Sequence, residues 1–346
     1  MAHPFPLKVV ALQAGLSVAT VDRVVKQRGG VRPATVRRVT QALAELGRQS
    51  EQVGLAGRKF MLDLVMVAPQ RFTDAVRAAL EGELAALAPA VLRARLHLYE
   101  TLAPHDLVAL LERIRKNGSH GVVLKAPDLA PVVAAVAQLA AAGIPVVTLV
   151  TDLPGSARAA YIGMDNRAAG ETAAYLIGQW LGAGDGTAGR QQVLVTLSSN
   201  RFHGEEEREL GFRRALRERY RHLGVVEVSE AHGIDGATGA LVGQALAAHP
   251  DIVAVYSIGG GNGAIAQAFQ RAGRRCRVFI GHDLDTDNVA LLKAGALQAV
   301  LHHDLRHDMR RACQQILRAH GALPPLRGAP PLSGTQVVTP FNLPPY

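Results

Sequence analysis

From residue 61 onward, short apolar runs alternate with longer stretches of helical periodicity, and this alternation constrains the fold more than any other feature. The runs with the length and composition of strands are 62–68, 95–100, 121–125, 145–150, 160–163, 193–197, 225–229, 252–257 and 277–281. The helical stretches between them include 75–88, 104–116, 131–142, 167–181 and 206–220. Repeated strand–helix alternation predicts parallel sheets that are covered by helices on both faces. The number of strands predicts an α/β fold with two doubly wound lobes.

Polar residues follow several of the predicted strands, where open parallel sheets bind their ligands. The candidates at these carboxyl ends are Phe72, Thr151, Asp152, Asp165, Asn166, the segment 199–208, Gly260 within 259–262, His282 and Asp283. Two facing lobes would bring these residues together in a cleft. Carboxylates accept hydroxyl hydrogens and arginine donates a fork of N–H groups, so this set suits a hydroxyl-rich ligand such as a sugar or polyol.

The first 60 residues differ from the rest of the chain in charge. They carry ten Lys and Arg against three Asp and Glu, which is +7 of the net charge of +9. Three short helices are predicted here: 7–14, closed by Gly15, 18–25, capped by Ser17, and a third from Pro33 to Leu46. A basic module on a near-neutral body predicts a polyanionic partner, most often nucleic acid.

Helix, short glycine turn and helix form the helix-turn-helix arrangement, whose second helix enters the DNA major groove with its N-terminal residues first. On the predicted second helix, Val18, Ala19, Asp22 and Arg23 face outward or lie at the front. Arg23 can bond a guanine through two N–H groups, and Val18 or Ala19 can contact a thymine methyl. The alternative is an ordinary three-helix domain with a solvated basic surface.

A glycine-rich turn late in the chain supports a different function. The stretch SIGGGNGAIA (257–266) follows a predicted strand and matches G-x-G-x-x-A, and Asp283 lies beyond a second strand. This spacing is close to that of a dinucleotide-binding turn, so an NAD(P)-dependent oxidoreductase is one alternative. Such a turn should open the first βαβ unit of its domain, and its late position favours a small ligand in the cleft.

Other reactive side chains have simpler interpretations. The histidine-rich stretch after the last predicted strand contains His302, His303, Asp304, His307 and Asp308. No second cluster of metal-binding residues lies near it in sequence, so no metal site is predicted. The glutamates within 205–209 lie at a predicted helix start, where they favour the helix dipole, and no G-x-S-x-G elbow surrounds Ser198. The sequence therefore predicts neither an enzyme nor a bound cofactor.

Compartment is suggested by two further features. Cys276 and Cys313 cannot form a disulfide framework, and no signal peptide is recognisable, so a cytoplasmic location is expected. The apolar stretch 129–150 is interrupted by Gln138 and by Gly-Ile-Pro at 143–145, which predicts helix, turn and strand instead of a membrane span. A sugar-binding transport protein is a second alternative, but it would need an export signal and would have no use for a helix-turn-helix.

The segment VVALQAGLSVATVDRVVKQRGGVRPATVRRVTQALAELG (9–47) resembles the DNA-binding headpiece of the LacI/GalR family of bacterial transcription regulators. The family pattern A-x-x-A-G-(V/L)-S-x-x-T-V-x-R-V is met by Ala11, Ala14, Gly15, Leu16, Ser17, Thr20, Val21, Arg23 and Val24. The resemblance implies that the residues at the DNA are Ser17, Val18, Ala19, Thr20, Asp22, Arg23, Lys26, Arg32 and Leu55. It also implies a homodimer on a pseudo-palindromic operator in double-stranded DNA.

The headpiece departs from the family pattern at several positions. Asp22 stands where the family usually has Ser, and Pro6 replaces the usual Thr cap of the first helix. Arg48 and Ser50 replace the Tyr and Pro that precede a hinge helix, whose leucine enters the minor groove. We therefore predict a hinge over 48–60 with Leu55 as the wedge candidate.

The body of the chain is similar to the sugar-binding core shared by these regulators and by periplasmic ribose-type binding proteins. The similarity rests on IPVVTLVTDLP, AYIGMDNRAAGETAA, the R-x-x-G-F motif at 208–212 and FIGHD. It implies that Arg208 and Asp283 bind the effector and that Phe72 stacks on a sugar ring. His303 falls where the ribose-type pattern usually has Gln, which implies that it also contacts the effector.

The resemblance also implies a domain organisation and a mechanism. The predicted parts are a headpiece (1–47), a hinge (48–60) and an effector-binding and dimerisation domain (61–346). Its first lobe would comprise 61–164 and 297–320, and its second 165–296 and 321–346. The predicted protein is a transcriptional regulator, specifically a repressor, whose operator affinity changes when a sugar or polyol binds between the lobes.

Overall fold

A computed structural model of the chain describes residues 5–55, 57–84, 87, 90–182, 191–326 and 328–344. It begins with three helices, α1 (Leu7–Ala14), α2 (Val18–Val25) and α3 (Pro33–Leu55). The first two match the predicted bounds. Gly15 ends α1 in the left-handed conformation, with φ of 60°, which glycine adopts without strain. Val10, Val21 and Val39, one from each helix, are fully buried together and form the core of this headpiece.

The third helix is longer than the sequence predicts. It continues from the expected end at Leu46 to Leu55 and so takes up most of the predicted hinge. The segment after Leu46 contains no proline, and each glycine in it costs a helix only about 1 kcal/mol relative to alanine. Gly57, with φ of 73°, lies just beyond the end of the helix. The side chain of Leu55, the predicted wedge, lies outside the described residues.

The first lobe contains one parallel sheet. Its elements are β1 (Lys59–Val67), α4 (Gln70–Leu84), β2 (Val91–Tyr99), α5 (Pro104–Asn117), β3 (Gly121–Lys125), α6 (Ala130–Ala141), β4 (Val146–Leu149) and β5 (Ala160–Ile162). The strand order is β2-β1-β3-β4-β5, and all pairs are parallel. Leu64 and Val65 are buried in separate clusters on opposite faces of β1, because neighbouring strand residues point to opposite sides of a sheet.

The second lobe has a larger sheet. The rest of the chain forms α7 (Asn166–Leu181), β6 (Gln191–Thr196), α8 (His203–Arg219), β7 (Leu223–Val228), α9 (Asp235–Ala248), β8 (Ile252–Ser257), α10 (Asn262–Arg271), β9 (Val278–His282), α11 (Thr286–Lys293), β10 (Ala299–His302), α12 (Leu305–Ala319) and β11 (Gln336–Val338). All of these elements except α12 belong to the second lobe. The strand order is β11-β10-β9-β8-β6-β7. Only β11 runs antiparallel to its neighbour among the described strands. The predicted α/β fold with two doubly wound parallel sheets is therefore confirmed.

The chain crosses between the lobes at a different point from the one predicted. The sequence assigns 297–320 to the first lobe, but β10 pairs with β9 in the second sheet, with Ala299 opposite Ile280. Only α12 returns to the first lobe, where its Met309 and Cys313 join the core beneath α4. The strands β10 and β11, of four and three residues, are not among the predicted strands.

The long apolar stretch at 129–150 forms α6, a turn and β4, as predicted. None of the described helices combines the length and the hydropathy that crossing a membrane requires.

Candidate functional site

The outer surface of the headpiece is formed by the start of α2. Ser17 caps this helix, since its Oγ accepts from the backbone N–H of Thr20 at 3.2 Å. Val18, Ala19 and Arg23 are exposed on the same turn and a half, while Thr20 is half-buried. The predicted base-reading residues therefore share an accessible face at the helix end that a helix-turn-helix presents to DNA.

Asp22 is neutralised by its neighbours on this surface. Lys26 Nζ lies 2.6 Å from one carboxylate oxygen of Asp22, and Arg28 Nη1 lies 3.3 Å from the other. The hydrogen bond from Lys26 holds the pKa of Asp22 below its usual range. An isolated carboxylate would repel phosphates, but Asp22 instead orders two cations beside the exposed face. Arg32 is also exposed, just before α3.

A cavity of about 70 Å³ lies between the two lobes, at the carboxyl ends of both sheets. The first lobe contributes Arg71, Phe72 and Lys125, and the second contributes Arg208 and Asp283 among others. Of the predicted effector contacts, the structure brings Phe72, Arg208, Gly260 and Asp283 together here.

Arg208 is held by the packing of α7 against α8. Its Nε donates to Asn166 Oδ1 at 2.8 Å, and Asn166 in turn donates to Val150 O at 3.2 Å. The helices touch through glycine, because a Cβ on Gly170 would lie 1.9 Å from the carbonyl oxygen of Arg208. Arg208 is 3% exposed, and its Nη2 has no hydrogen-bond partner among the described residues. This nitrogen is therefore a fixed, unused donor at the cavity.

Asp283 is backed by a buried chain of charges. His303, fully buried, places Nε2 3.6 Å from Asp283 Oδ1 and binds Asp308 through Nδ1 at 2.5 Å. Asp308 also accepts from Ser333, which lies in the segment between α12 and β11. Burial acts to raise the pKa of Asp283, but His303 and Arg208 outweigh it and hold that pKa below its usual range. Asp283 is thus an ionised acceptor.

Backbone strain is concentrated around the cavity. Five described non-glycine residues have positive φ, and Val150 (66°), His232 (53°) and Asp283 (63°) line the cavity. A β-branched residue such as Val150 rarely adopts this conformation. Strain of this kind persists where surrounding structure imposes it, and it clusters at binding sites.

The glycine-rich turn packs against protein atoms. A Cβ on Gly259 would lie 2.0 Å from Ser198 N, and one on Gly260 would lie 2.4 Å from Arg71 Nη2. Arg71 reaches this turn from the other lobe, where it donates to Gly233 O at 2.8 Å and lies 3.4 Å from Asp285. Gly260 therefore admits a contact between the lobes, and Gly259 packs closely within the second lobe.

Two sequence-family models match the chain. Residues 6–49 match the bacterial regulatory proteins of the lacI family, and residues 64–321 match the periplasmic binding protein domain. The chain belongs to the LacI/GalR family of bacterial regulators. It is therefore a DNA-binding regulator with a periplasmic-binding-protein domain, which confirms the resemblance seen in the sequence. A comparison with curated protein sequences returned no match.

Solved structures share the fold of this LacI-family chain at low identity. GanP, a glucose-galactose binding protein from Geobacillus stearothermophilus, is 20% identical with a TM-score of 0.70, over 83% of this chain and 99% of that one. A putative LacI transcriptional regulator from Bacteroides fragilis is 16% identical with a TM-score of 0.69, over 82% and 98%. A solute-binding protein from Burkholderia graminis in complex with D-arabinose is 20% identical with a TM-score of 0.72, over 84% and 98%.

Four predicted effector residues of the LacI-family chain lie outside the cavity lining. Asp152 pairs with Arg158, and Asp165 caps α7 by accepting from Ala168 N at 2.9 Å. These carboxylates follow strands, as predicted, but local partners hold them away from the cleft. Asn166 instead accepts a hydrogen bond from Arg208, and His303 lies next to Asp283.

Other lining residues were not predicted, and they come from both lobes. They include Arg71, Glu100, Lys125, His232, Asp285 and Asn288. Glu205 corrects another expectation, because it is buried and accepts from Ser198 N and Oγ at 2.7 and 2.5 Å. It lines the cavity instead of solvating a helix start. Lys125 is the last residue of a strand, which is the signal that could have found it.

The histidine-rich stretch is divided between two surroundings. His303 is buried with Asp308, whereas His307 is exposed on α12. Among the described residues, no three His, Cys, Asp or Glu side chains form a group that could hold a metal ion.

The charge on His303 makes a testable contribution to stability. Burial acts to lower the pKa of His303, but Asp283 and Asp308 outweigh it and raise that pKa to about 9. An unfolded histidine titrates near about 6.5, so this contribution is complete below pH ~6.5 and is lost as the pH rises through about 9. We expect the loss in unfolding free energy caused by His303→Gln to shrink by about 1–3 kcal/mol between pH 6.5 and 9.5.

Urea denaturation at the two pH values measures this difference. His307→Gln is the matched control, and it should cost little at either pH because His307 is exposed. A cost for His303→Gln that stays constant with pH would contradict a charged His303.

Proposed function

We propose that the chain is a cytoplasmic transcriptional repressor that binds a pseudo-palindromic operator as a homodimer and releases or gains DNA when a sugar or polyol binds in its cleft. The proposed parts are the headpiece, a linker helix formed by the end of α3 (48–55), and the two-lobed effector and dimerisation domain. The cleft binds its ligand and catalyses no reaction. The family membership supports the DNA-binding half of this proposal.

One observation supports the proposal that a sugar or polyol binds in the cleft. Arg208 Nη2 is buried at the cavity without a hydrogen-bond partner among the described residues, and Asp283 at the same cavity has only His303 beside it, with Nε2 3.6 Å from Oδ1. Burying such groups unpaired costs about 1–3 kcal/mol each, more when they are charged. Neighbouring sugar hydroxyls would donate to Asp283 and accept from Arg208, and so satisfy both. Phe72, buried at the same cavity, offers an apolar face to the ring.

Structural relatives support the same class of ligand. GanP is a glucose-galactose binding protein, and the Burkholderia graminis protein was solved with D-arabinose. The rival function, an NAD(P)-dependent oxidoreductase, would need the glycine turn for a pyrophosphate. Arg71 lies against Gly260 there, which favours a contact between lobes.

The lobes are joined across the cleft in a way that supports coupling. Arg71 of the first lobe binds Gly233 of the second, and Thr151 accepts from Gly204 N at 2.9 Å. A sugar that contacts residues of both lobes would alter these contacts and so set a new angle between the lobes. Such coupling typically amounts to about 1–3 kcal/mol of operator affinity.

Contacts at the base of the first lobe link that movement to the headpiece. Arg58, which follows the linker helix, lies 5.1 Å over the ring of Phe60 and donates to His320 O at 3.1 Å. His320 follows α12, the helix that returns from the second lobe. Rotation of α12 would therefore move the chain that leads into α3 and shift the exposed face of α2.

A thermal-shift screen of the full chain against monosaccharides, polyols and NAD tests the proposal. A ligand at about 100 times its Kd stabilises the folded state by roughly 2.7 kcal/mol, which raises the melting temperature measurably. We expect at least one sugar-like ligand to do so and to change DNA affinity in a mobility-shift assay. A shift with NAD beside silence from every sugar-like ligand would refute it.

A further inference from the structure

Basic side chains gather at the end of the second lobe that lies farthest from the cleft. The strands β7, β6, β8, β9 and β10 are neighbours and run parallel, so their first residues share one edge of the sheet. The segments that lead into β7, β8, β9 and β10 at this edge are 215–223, 246–252, 270–278 and 292–298. We call these four segments the distal face. They contain eight Lys and Arg against two Asp and Glu.

The distal face differs in charge from the rest of the body. Residues 61–346 carry +2 in total and the distal face carries +6, so the remainder of the body carries −4. One of the two carboxylates of the distal face, Glu218, is already paired with Arg214 at 2.9 Å. The positive charge is therefore as local here as it is in the headpiece, and it suits an anionic partner.

The distal face and the headpiece lie at opposite ends of the molecule. The carboxyl ends of both sheets meet at the cavity, so the amino ends of the two sheets point away from each other. The headpiece leads into the amino end of β1 at Lys59, in the first lobe, whereas the distal face is the amino edge of the second sheet. An anionic partner of the distal face is therefore separate from the stretch of DNA at the headpiece.

Helix dipoles explain some of the cations on the distal face. A cation in the last turn of a helix interacts favourably with the partial negative charge at that end. The cations in last turns are Arg217 and Arg219 of α8, Arg271 of α10 and Lys293 of α11. This explanation does not extend to the arginines in the loops before β7 and β9.

Three exposed arginines lie in those loops. Arg221 is fixed in place because its Nε donates to Arg217 O at 3.1 Å, and neither of its Nη groups has a partner among the described residues. Arg275 and Arg277 have no side-chain hydrogen bond or ion pair within the described part of the chain. The adjacent Arg274, by contrast, donates to four backbone carbonyls. Three guanidinium groups are thus available to a partner.

The spacing of these arginines suits a nucleic-acid duplex. The first residues of β7 and β9 are separated by three strand spacings, which is about 14 Å. A DNA duplex of that length carries about eight phosphate charges. A guanidinium group can bond phosphate oxygens through two parallel N–H groups, and seven of the eight cations of the distal face are arginine.

We propose that the distal face binds the phosphate backbone of a second double-stranded DNA segment through Arg221, Arg275 and Arg277, so that the protein bridges two segments. This role goes beyond the proposed function, in which only the headpiece contacts DNA. The contact reads no base, so it is independent of sequence and weakens with salt. Weak affinity is sufficient, because a headpiece on DNA holds neighbouring segments at a high local concentration.

A bridging assay with the full chain tests this site. Beads that carry one short duplex of random sequence are incubated with the protein at low salt, and a second, fluorescent duplex of random sequence is then added. We expect the protein to capture the second duplex on the beads. Retention of the protein itself is measured separately, and it reports the first contact with DNA.

A triple variant assigns the capture to the distal face. The three substitutions are Arg221→Gln, Arg275→Gln and Arg277→Gln. We expect capture to fall at least about 10-fold and its log–log salt dependence to weaken by up to about 2.7, at about 0.9 per lost phosphate contact. Retention of the variant on the beads should stay near the wild-type level. Exposed arginines contribute little to folding, and thermal melting checks that the variant is folded.

The matched control removes the same charge from exposed arginines on the cleft side of the lobes. Its substitutions are Arg167→Gln, Arg201→Gln and Arg306→Gln. We expect this variant to capture the second duplex as the wild type does. An equal loss of capture in the control would reduce the effect to net charge and overturn the proposal.

The other outcomes are equally decisive. Capture that survives in the folded triple variant would overturn the distal face as the site, since two headpieces of a dimer would then account for the bridge. Retention of the wild type without capture would overturn it too, and would leave the DNA-binding role of the headpiece standing. Binding of phosphatidylglycerol vesicles in place of the second duplex would replace DNA by a membrane surface. A wild type that is not retained on the beads at all would contradict both DNA contacts.

Discussion

Replacing Asp283 with asparagine is expected to weaken effector binding by about 2–4 kcal/mol, roughly 30- to 1,000-fold, and to remove the effector response of DNA binding. The substitution removes the charge that is proposed to accept ligand hydroxyls, and it leaves the buried His303 without its partner at 3.6 Å. Asparagine is chosen because Asp283 has φ of 63°, a conformation that Asn tolerates and alanine does not.

Calorimetry with the ligand found in the screen measures the affinity, and a mobility-shift assay with and without that ligand measures the response. Asp165→Asn is the matched control. Asp165 is exposed and caps α7, where asparagine caps equally well, so its affinity should stay unchanged. An unaltered affinity in Asp283→Asn would remove Asp283 from the proposed site.

Replacing Arg23 with alanine is expected to lower specific operator affinity by about 2–6 kcal/mol in a dimer, at least about 30-fold. The range assumes one bidentate contact with guanine in each half-site, worth about 1–3 kcal/mol. Arg23 is exposed on α2 beside Val18 and Ala19, and its loss leaves the buried Val21 and the headpiece core intact. Effector affinity should not change, because the cavity lies between the lobes.

Fluorescence anisotropy at a fixed salt concentration measures this loss, with an operator recovered by in vitro selection. Arg219→Ala removes an exposed arginine of the second lobe and should leave operator affinity unchanged. Joint loss of operator and effector binding in Arg23→Ala would contradict the independence of the two sites.

The first two helices of the headpiece could be predicted because the sequence features that determine their bounds are local. The bounds of α1 and α2 follow from a glycine, a capping serine and an apolar face within 20 residues. The end of α3 could not be predicted, because Gly47 and Gly54 weaken a helix without ending it. The family motifs likewise located Arg208 and Asp283, which the structure places at one cavity.

The predicted effector residues Asp152 and Asp165 lie outside the cavity lining for the same physical reason. Asp152, Asp165 and Asp283 all follow strands, yet Arg158 and Ala168 N occupy the first two, and only Asp283 faces the cavity. Sequence position gives a residue its place on the sheet edge. The position in the sequence does not show which neighbouring group will form a hydrogen bond or an ion pair with that side chain.

The sequence by itself determined the two doubly wound lobes, the basic headpiece and the face of α2 that carries Arg23, because periodicity, caps and charge act over a few residues. Only the tertiary structure decided which polar groups face the cleft. Lys125 ends a strand without any distinguishing motif, and Arg71 meets Gly233 across 162 residues of chain. Burial and long-range pairing assign these roles, since a charge becomes a binding group when the fold removes its water and leaves it no partner.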